Sequence, residues 1–234
     1  MSDKIPLYRH SLLEAKRCNE MDLWRASHKA NIECKKTIEK TLSQRFDGSH
    51  LMDGTAKILF EACGIDRVNW VLANTIQHSD WDGRYSHSNK EWAKGFIIPT
   101  SDARDQTVDY LLNSHPVVLD GLVTMARKEY VRLNLFDHSH CENNSSQINY
   151  ENKVLVLMPE VLKDEYKSPE YQLVYASCGF GCSPTASGRK VYVQFLKDGE
   201  ETFYNRQDFI GVLSHEHLPA WAAEKLEEIT HPAM

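Results

Sequence analysis

The stretch from Tyr171 to Phe209, YQLVYASCGFGCSPTASGRKVYVQFLKDGEETFYNRQDF, limits the fold more than any other part of the chain. It reads as three short β-strands joined by two turns. VYVQFL puts Val191, Val193 and Phe195 on one face and Tyr192 and Gln194 on the other, the two-residue period of a strand with one buried side. Lys197-Asp198-Gly199-Glu200 is a hairpin turn signal before ETFY. The earlier turn is a loop that carries Cys178, Cys182, Pro184 and three glycines. These features predict a compact antiparallel β-meander that presents one shaped loop.

The first half has a different period. A helix is predicted from Leu7 to Cys18. A longer one over Glu20–Gln44 has Leu23, Ala26, Ala30, Cys34, Ile38 and Leu42 on one apolar face. FDGSH breaks the pattern at an Asp-Gly turn. Asp53 is expected to cap the next helix, Gly64 to end it, and Asp66 to cap DRVNWVLANTIQH. Ser88 and Glu91 have capping-box spacing, so a short helix should start near Asn89 and end by Gly95. IIPTSD reads as a connector. Helices follow over 103–113 and, with Pro116 at the first position, over 116–133. DHSHCENNSSQINYEN, residues 137–152, is rich in Asn and Ser and has no period. KVLVLM after it is a candidate strand, PEVLKDEY a short helix, and Leu218–Ile229 a closing helix. The fold class is therefore α+β. An N-terminal helical domain over 1–136 and a linker over 137–152 precede a small domain over 153–234, with an antiparallel meander and a C-terminal helix.

Ten Tyr, eight Phe and five Trp argue against a disordered chain. A net charge of −6 disfavours generic nucleic-acid binding, which needs a basic footprint. It suits a protein that meets a basic surface on a partner. MSDKIPLYRH has no apolar core of a signal peptide, and no window is long and apolar enough to span a membrane. A cytoplasmic, reducing setting is expected, with the six cysteines free.

No complete catalytic signature is present. Asp80–Arg84, DWDGR, has no Asp and Glu where a calcium loop needs them. The plain reading is a tight turn with Arg84 paired to a carboxylate and Trp81 packed beneath. Cys178, Cys182, His138 and Cys141 could hold a structural zinc, although the cysteine spacing is not a standard pair. No cofactor is required. Cys182 or Ser183 could act as the nucleophile of a cryptic hydrolase, and SPTASGRK superficially resembles a phosphate cradle. Arg9, Arg17, Trp24, Arg25, His28, Lys29, Lys35 and Lys36 make a row of bases and aromatics on the first helices, interleaved with acids. As a contact surface, the expected residues are Trp81, Arg84, Arg189, Lys190 and Arg206.

Four stretches carry a resemblance: LWRASHKANIECKKTIEKTL, FDGSHL, DRVNWVLANTIQHSDWDGRYSHSNKEWAK and NSHPVVLDGL. GFGCSPTASGRKV and YNRQDFIGVL look like an accompanying second element. The chain resembles an uncharacterised domain-of-unknown-function family of gut anaerobes and their phages and mobile elements. The resemblance carries over no catalytic residue. It implies an accessory gene of a mobile element, a setting in which small acidic proteins disable host defence, anti-CRISPR proteins among them. The expected function is a non-enzymatic, steric inhibitor of a host defence protein, with a CRISPR effector nuclease as the partner. Nucleic acid would then be met only indirectly and membrane not at all. The alternatives are a nucleic-acid-associated accessory protein using the basic row with Arg189 and Lys190, and the cryptic hydrolase.

Overall fold

The computed structural model describes residues 5–96, 107–143, 145–163, 166–186 and 189–231. The chain divides into two compact units. One is Met1–Ala15 with Glu20–Asn134, and the other is Lys16–Asn19 with Leu135–Met234.

The first unit is helical: α1 Leu12–Arg17, whose last two residues are grouped with the second unit, α2 Met21–Arg45, α3 Thr55–Cys63, α4 Ile65–His78, α5 His87–Lys94 and α6 Pro116–Leu133. Helix α4 is its centre. It packs against α2, α3, α5 and α6, and every residue from Asp66 to Ile76 is buried. A helix covered on all sides cannot show a single apolar stripe, which explains why Val68, Leu72 and Ile76 share burial with Trp70 and Ala73.

The buried face of α2 differs from the predicted one in its first half. Ser27 and Asn31 are buried, and Ala26 and Ala30 are only partly so. The cause is Arg67 of α4. Its guanidinium donates to the Ser27 carbonyl (3.0 Å), to Asn31 Oδ1, and to the carbonyls of Ile5 (2.7 Å) and Pro6 (3.1 Å). A buried guanidinium needs several acceptors, so the polar residues turn inward to meet it. These ties and the bond from the Tyr8 amide to Ser27 Oγ (2.9 Å) hold residues 5–8 outside any helix, and α1 starts at Leu12 rather than Leu7.

Helix caps also depart from expectation. Gly54, with φ 75°, precedes α3 in place of Asp53. Gly64, with φ 88°, ends α3 as predicted and also opens α4. Asp66 lies inside the first turn and pairs with Arg9 at 3.5 Å. Helix α5 opens after Ser86, not Ser88. The Ser86 amide and hydroxyl both bond Asp120 Oδ1 of α6, which fixes the entry to α5. Residues 97–102 and 103–106, read as connector and helix start, lie outside the described residues. Thr107–Tyr110 forms a 3-10 turn. Pro116 opens α6 as predicted, and Asn134 closes it in the left-handed region.

The second unit holds β1 Val154–Leu157, α7 Pro169–Gln172, β2 Leu173–Cys178, β3 Lys190–Phe195, β4 Glu201–Asn205, β5 Phe209–Val212 and α8 Ala220–Thr230. The sheet is antiparallel in the order β4-β3-β2-β1-β5. Its core combines Leu155, Leu157, Val174, Ala176, Cys182, Val191, Val193 and Phe209 with neighbouring residues. Strand β5 escapes sequence reading because it has only four residues and all are buried, so no alternation marks it.

The described residues of 137–152, expected as a linker, are grouped with this unit. Asp137 caps a 3-10 turn, Cys141 bridges Leu213, and the Glu142 amide donates to the Val212 carbonyl at 2.8 Å. Ser145 Oγ accepts from the Val212 amide (3.2 Å), and the Tyr150 amide donates to the Cys182 carbonyl (2.9 Å). The Asn- and Ser-rich segment covers the outer edge of β5, which would otherwise present unpaired backbone.

Candidate binding surfaces

In the first unit the chain between α4 and α5 makes a braced turn. The Asp82 amide bonds the Ser79 carbonyl at 2.8 Å. Arg84 grips Asp82 with a fork, Nε to Oδ1 at 2.9 Å and Nη2 to Oδ2 at 2.6 Å, and its own amide donates to Oδ1 at 3.0 Å. The Arg84 hydrogen bonds hold the Asp82 carboxyl down at about 2. From outside the turn, Lys90 Nζ reaches the Asp80 carbonyl at 2.5 Å, and His115 Nε2 lies 3.3 Å from Arg84 Nη1.

The pairing of Arg84 with a carboxylate agrees with the sequence. The position of Trp81 does not, because its side chain is 83% exposed rather than packed beneath the turn. Asp82, not Trp81, fills the inside of the turn, since its carboxylate serves the Arg84 amide and guanidinium together. Behind the turn, Asn89 donates to Asp120 Oδ1 (2.7 Å) and Thr124 Oγ1 (3.0 Å) and accepts from Arg127 (2.7 Å). The turn is therefore backed by a satisfied polar network between α5 and α6.

In the second unit the Gly179–Ser183 loop lies against the start of β3. A Cβ on Gly181 would sit 2.0 Å from the Arg189 carbonyl oxygen, and one on Gly179 2.3 Å from that of Lys190. Only glycine allows that approach. Between the two glycines Phe180 is turned outward and 79% exposed. Arg206 anchors the loop from below. It donates to the carbonyls of Gly181 (2.9 Å), Cys182 (2.7 Å) and Ile148 (2.8 Å), and it lies 3.7 Å from the Tyr150 ring centre. Arg206 is buried, so of the expected contact residues it serves the fold and not a surface.

Arg189 and Lys190 reach the same groove as the loop, a cleft of about 660 Å³ lined also by Glu151, Phe180, Ser183 and Tyr192. Sequence reading missed its aromatic residues Phe180 and Tyr192, and Phe203 beside them. The signal available was Tyr192 on the polar-facing side of β3.

The proposed zinc ligands do not converge. Cys178 is exposed at the end of β2, Cys182 is in the sheet core, and Cys141 pairs beside β5. The sheet order puts β1 between β2 and β5, which separates the two sets. Among the described residues no three His, Cys, Asp or Glu side chains are grouped to hold a metal. Cys182 also fits poorly as a nucleophile, since burial pushes its thiol up to about 11. Ser183 shares a 3.1 Å hydrogen bond with Thr185, and Ser187 and Gly188 of the supposed phosphate cradle lie outside the described residues. The basic row of the first helices is broken into pairs. Arg9 meets Asp66, Arg25 meets Asp22 and Lys36 meets Glu33, while Trp24 stacks on His28.

The family described as "Protein of unknown function (DUF3849)" matches residues 7–131, more than half of the chain. The chain belongs to the DUF3849 family. The matched DUF3849 residues span α1 to α6 almost in full and include the Trp81 turn, Asn89 and Asp120. The loop around Phe180 and the sheet lie outside them, as do GFGCSPTASGRKV and YNRQDFIGVL. No curated protein and no solved structure matches the chain. Among the described residues no helix is long and apolar enough to cross a membrane.

Proposed function

We propose that this DUF3849 protein is a non-enzymatic binding protein that engages a protein partner through the Trp81–Arg84 turn. The single observation that carries this reading is the exposed Trp81 ring on a turn locked by Asp82 and Arg84. A tryptophan side chain offers roughly 150–250 Å² of contact area. At about 25 cal/mol per Å², most of some 4–6 kcal/mol is still available to a partner. Exposed aliphatic residues such as Val131 and Leu13 need no explanation, and in the first unit Trp81 is the most exposed of the large apolar side chains described. Tryptophan and arginine are the residue types that dominate binding hot spots, and here they stand three positions apart. The turn is braced before binding, so little ordering cost remains.

The sharper reading, steric inhibition of a host defence nuclease by a mobile-element protein in the cytoplasm, rests on the family resemblance and the net charge of −6. A defence nuclease is therefore the first partner to test. The experiment is affinity capture by the full chain from cells supplied with bacterial defence complexes, with nuclease treatment before elution. The reading predicts a stoichiometric protein partner that survives the treatment and is lost with Trp81→Ala. A partner held equally by Trp81→Ala, or one lost with the nucleic acid, overturns it.

A further inference from the structure

The outer face of the second unit carries a chemistry that the Trp81 turn does not. Tyr192 on β3 and Phe203 on β4 are register partners, 47% and 48% exposed, with ring centres 6.1 Å apart. Lys190 Nζ lies 4.1 Å over the Phe203 ring. Phe180 joins Tyr192 at the groove, held out by the two glycines and by Arg206 beneath. Aromatic rings grouped on a sheet surface in water mark a binding face.

We propose that this face binds single-stranded nucleic acid, stacking unpaired bases on Phe180, Tyr192 and Phe203 and tracking the phosphates with Arg189 and Lys190. The inference goes beyond the protein-binding reading and stands on residues outside the matched family region. The charge pattern selects the occupant. Lys190 over the Phe203 ring and Glu151 in the groove are poor company for an apolar protein segment, because lysine and glutamate are depleted in interface cores. The same pattern suits a chain of flat bases and anionic phosphates. Every base has a π-face, so stacking needs no sequence. Glu151 repels phosphate, and its carboxylate can accept a hydrogen bond from a base N–H, the ring N–H of thymine included. With two cations serving the backbone, the dependence of log affinity on log salt should have a slope of about −1.4.

The test is fluorescence anisotropy of the full chain with a labelled thymidine oligomer of roughly 12 nucleotides, against a duplex of equal length. The expected result is saturable binding of the single strand and weaker binding of the duplex. Phe180→Ala and Tyr192→Ala should each weaken it about ten-fold. Tyr192→Phe should keep it, and Lys190→Gln should lower the salt slope by about 0.7. Trp81→Ala should leave it unchanged, which separates this face from the protein-binding turn. No saturable binding at low salt overturns the proposal, and so does binding that ignores removal of the rings. Loss of the captured protein partner on Phe180→Ala also overturns it, since the face would then belong to the protein contact.

Discussion

Replacing Arg206 with methionine should unfold the second unit far more readily than any surface change. Methionine keeps an apolar stem beside Tyr150 and removes the donors. The carbonyls of Gly181, Cys182 and Ile148 then lose charged hydrogen bonds of 2.7–2.9 Å in a buried site. The Cys182 carbonyl keeps the Tyr150 amide, so the other two are left unmatched at about 1–3 kcal/mol each, and the lost cation–π contact adds about 1–2 kcal/mol. Because the groups are neighbours the losses do not add fully, and about 4 kcal/mol is expected. For a unit of about 100 residues that corresponds to a fall of roughly 15 °C or more in Tm. Amide hydrogen exchange of the β2–β4 peptides reads this unit separately from the helical one. Arg206→Lys should fall between, because one ammonium has fewer fixed donors. Arg132→Ala, which breaks only the exposed pair with Glu129, should leave exchange unchanged. If Arg206→Met costs less than about 1 kcal/mol, the loop does not depend on this anchor and the reasoning fails.

Three further outcomes follow from the same geometry. Gly181→Ala drives a Cβ into the Arg189 carbonyl, so it should shift the loop and cost about 2–3 kcal/mol in urea unfolding; a change under about 0.5 kcal/mol would show that the loop is not pressed on β3. Burial raises the Asp208 carboxyl to about 6 against about 3.9 unfolded, so the protonated form favours folding. That contribution is present in full below about pH 4 and is lost as pH rises through 6, so wild type should lose up to about 3 kcal/mol relative to Asp208→Asn between pH 4 and 7; a difference independent of pH contradicts the shift. Arg67→Met should destabilise the first unit by about 3–5 kcal/mol and release residues 5–8 to rapid exchange, whereas protection of that segment in the variant would refute its role as the tie.

The architecture was largely legible because its signals are local. Pro116 at a helix start, the alternation of VYVQFL and the turn at Gly199 each act within a few residues. What escaped depends on partners distant in sequence. The inward turn of Ser27 and Asn31 needs Arg67, forty and thirty-six residues away. The outer edge of β5 needs Glu142 and Ser145, about seventy residues before it. The contact residues divided for the same reason. Trp81 and Arg84 come together as neighbours in sequence, but Arg206 looked like a surface base until the loop carbonyls above it were placed. Phe180 was hidden because nothing in CGFGC says that both glycines are pressed against β3, leaving the ring only the outward direction.

The most direct test of the central claim is photo-crosslinking in cells from a photoreactive residue in place of exposed Asp80, beside Trp81, with the same residue in place of Arg132 as control. The account predicts one discrete protein adduct from position 80, absent when Trp81→Ala is added and absent from position 132. No adduct from position 80, or the same adduct with Trp81 removed, would contradict it.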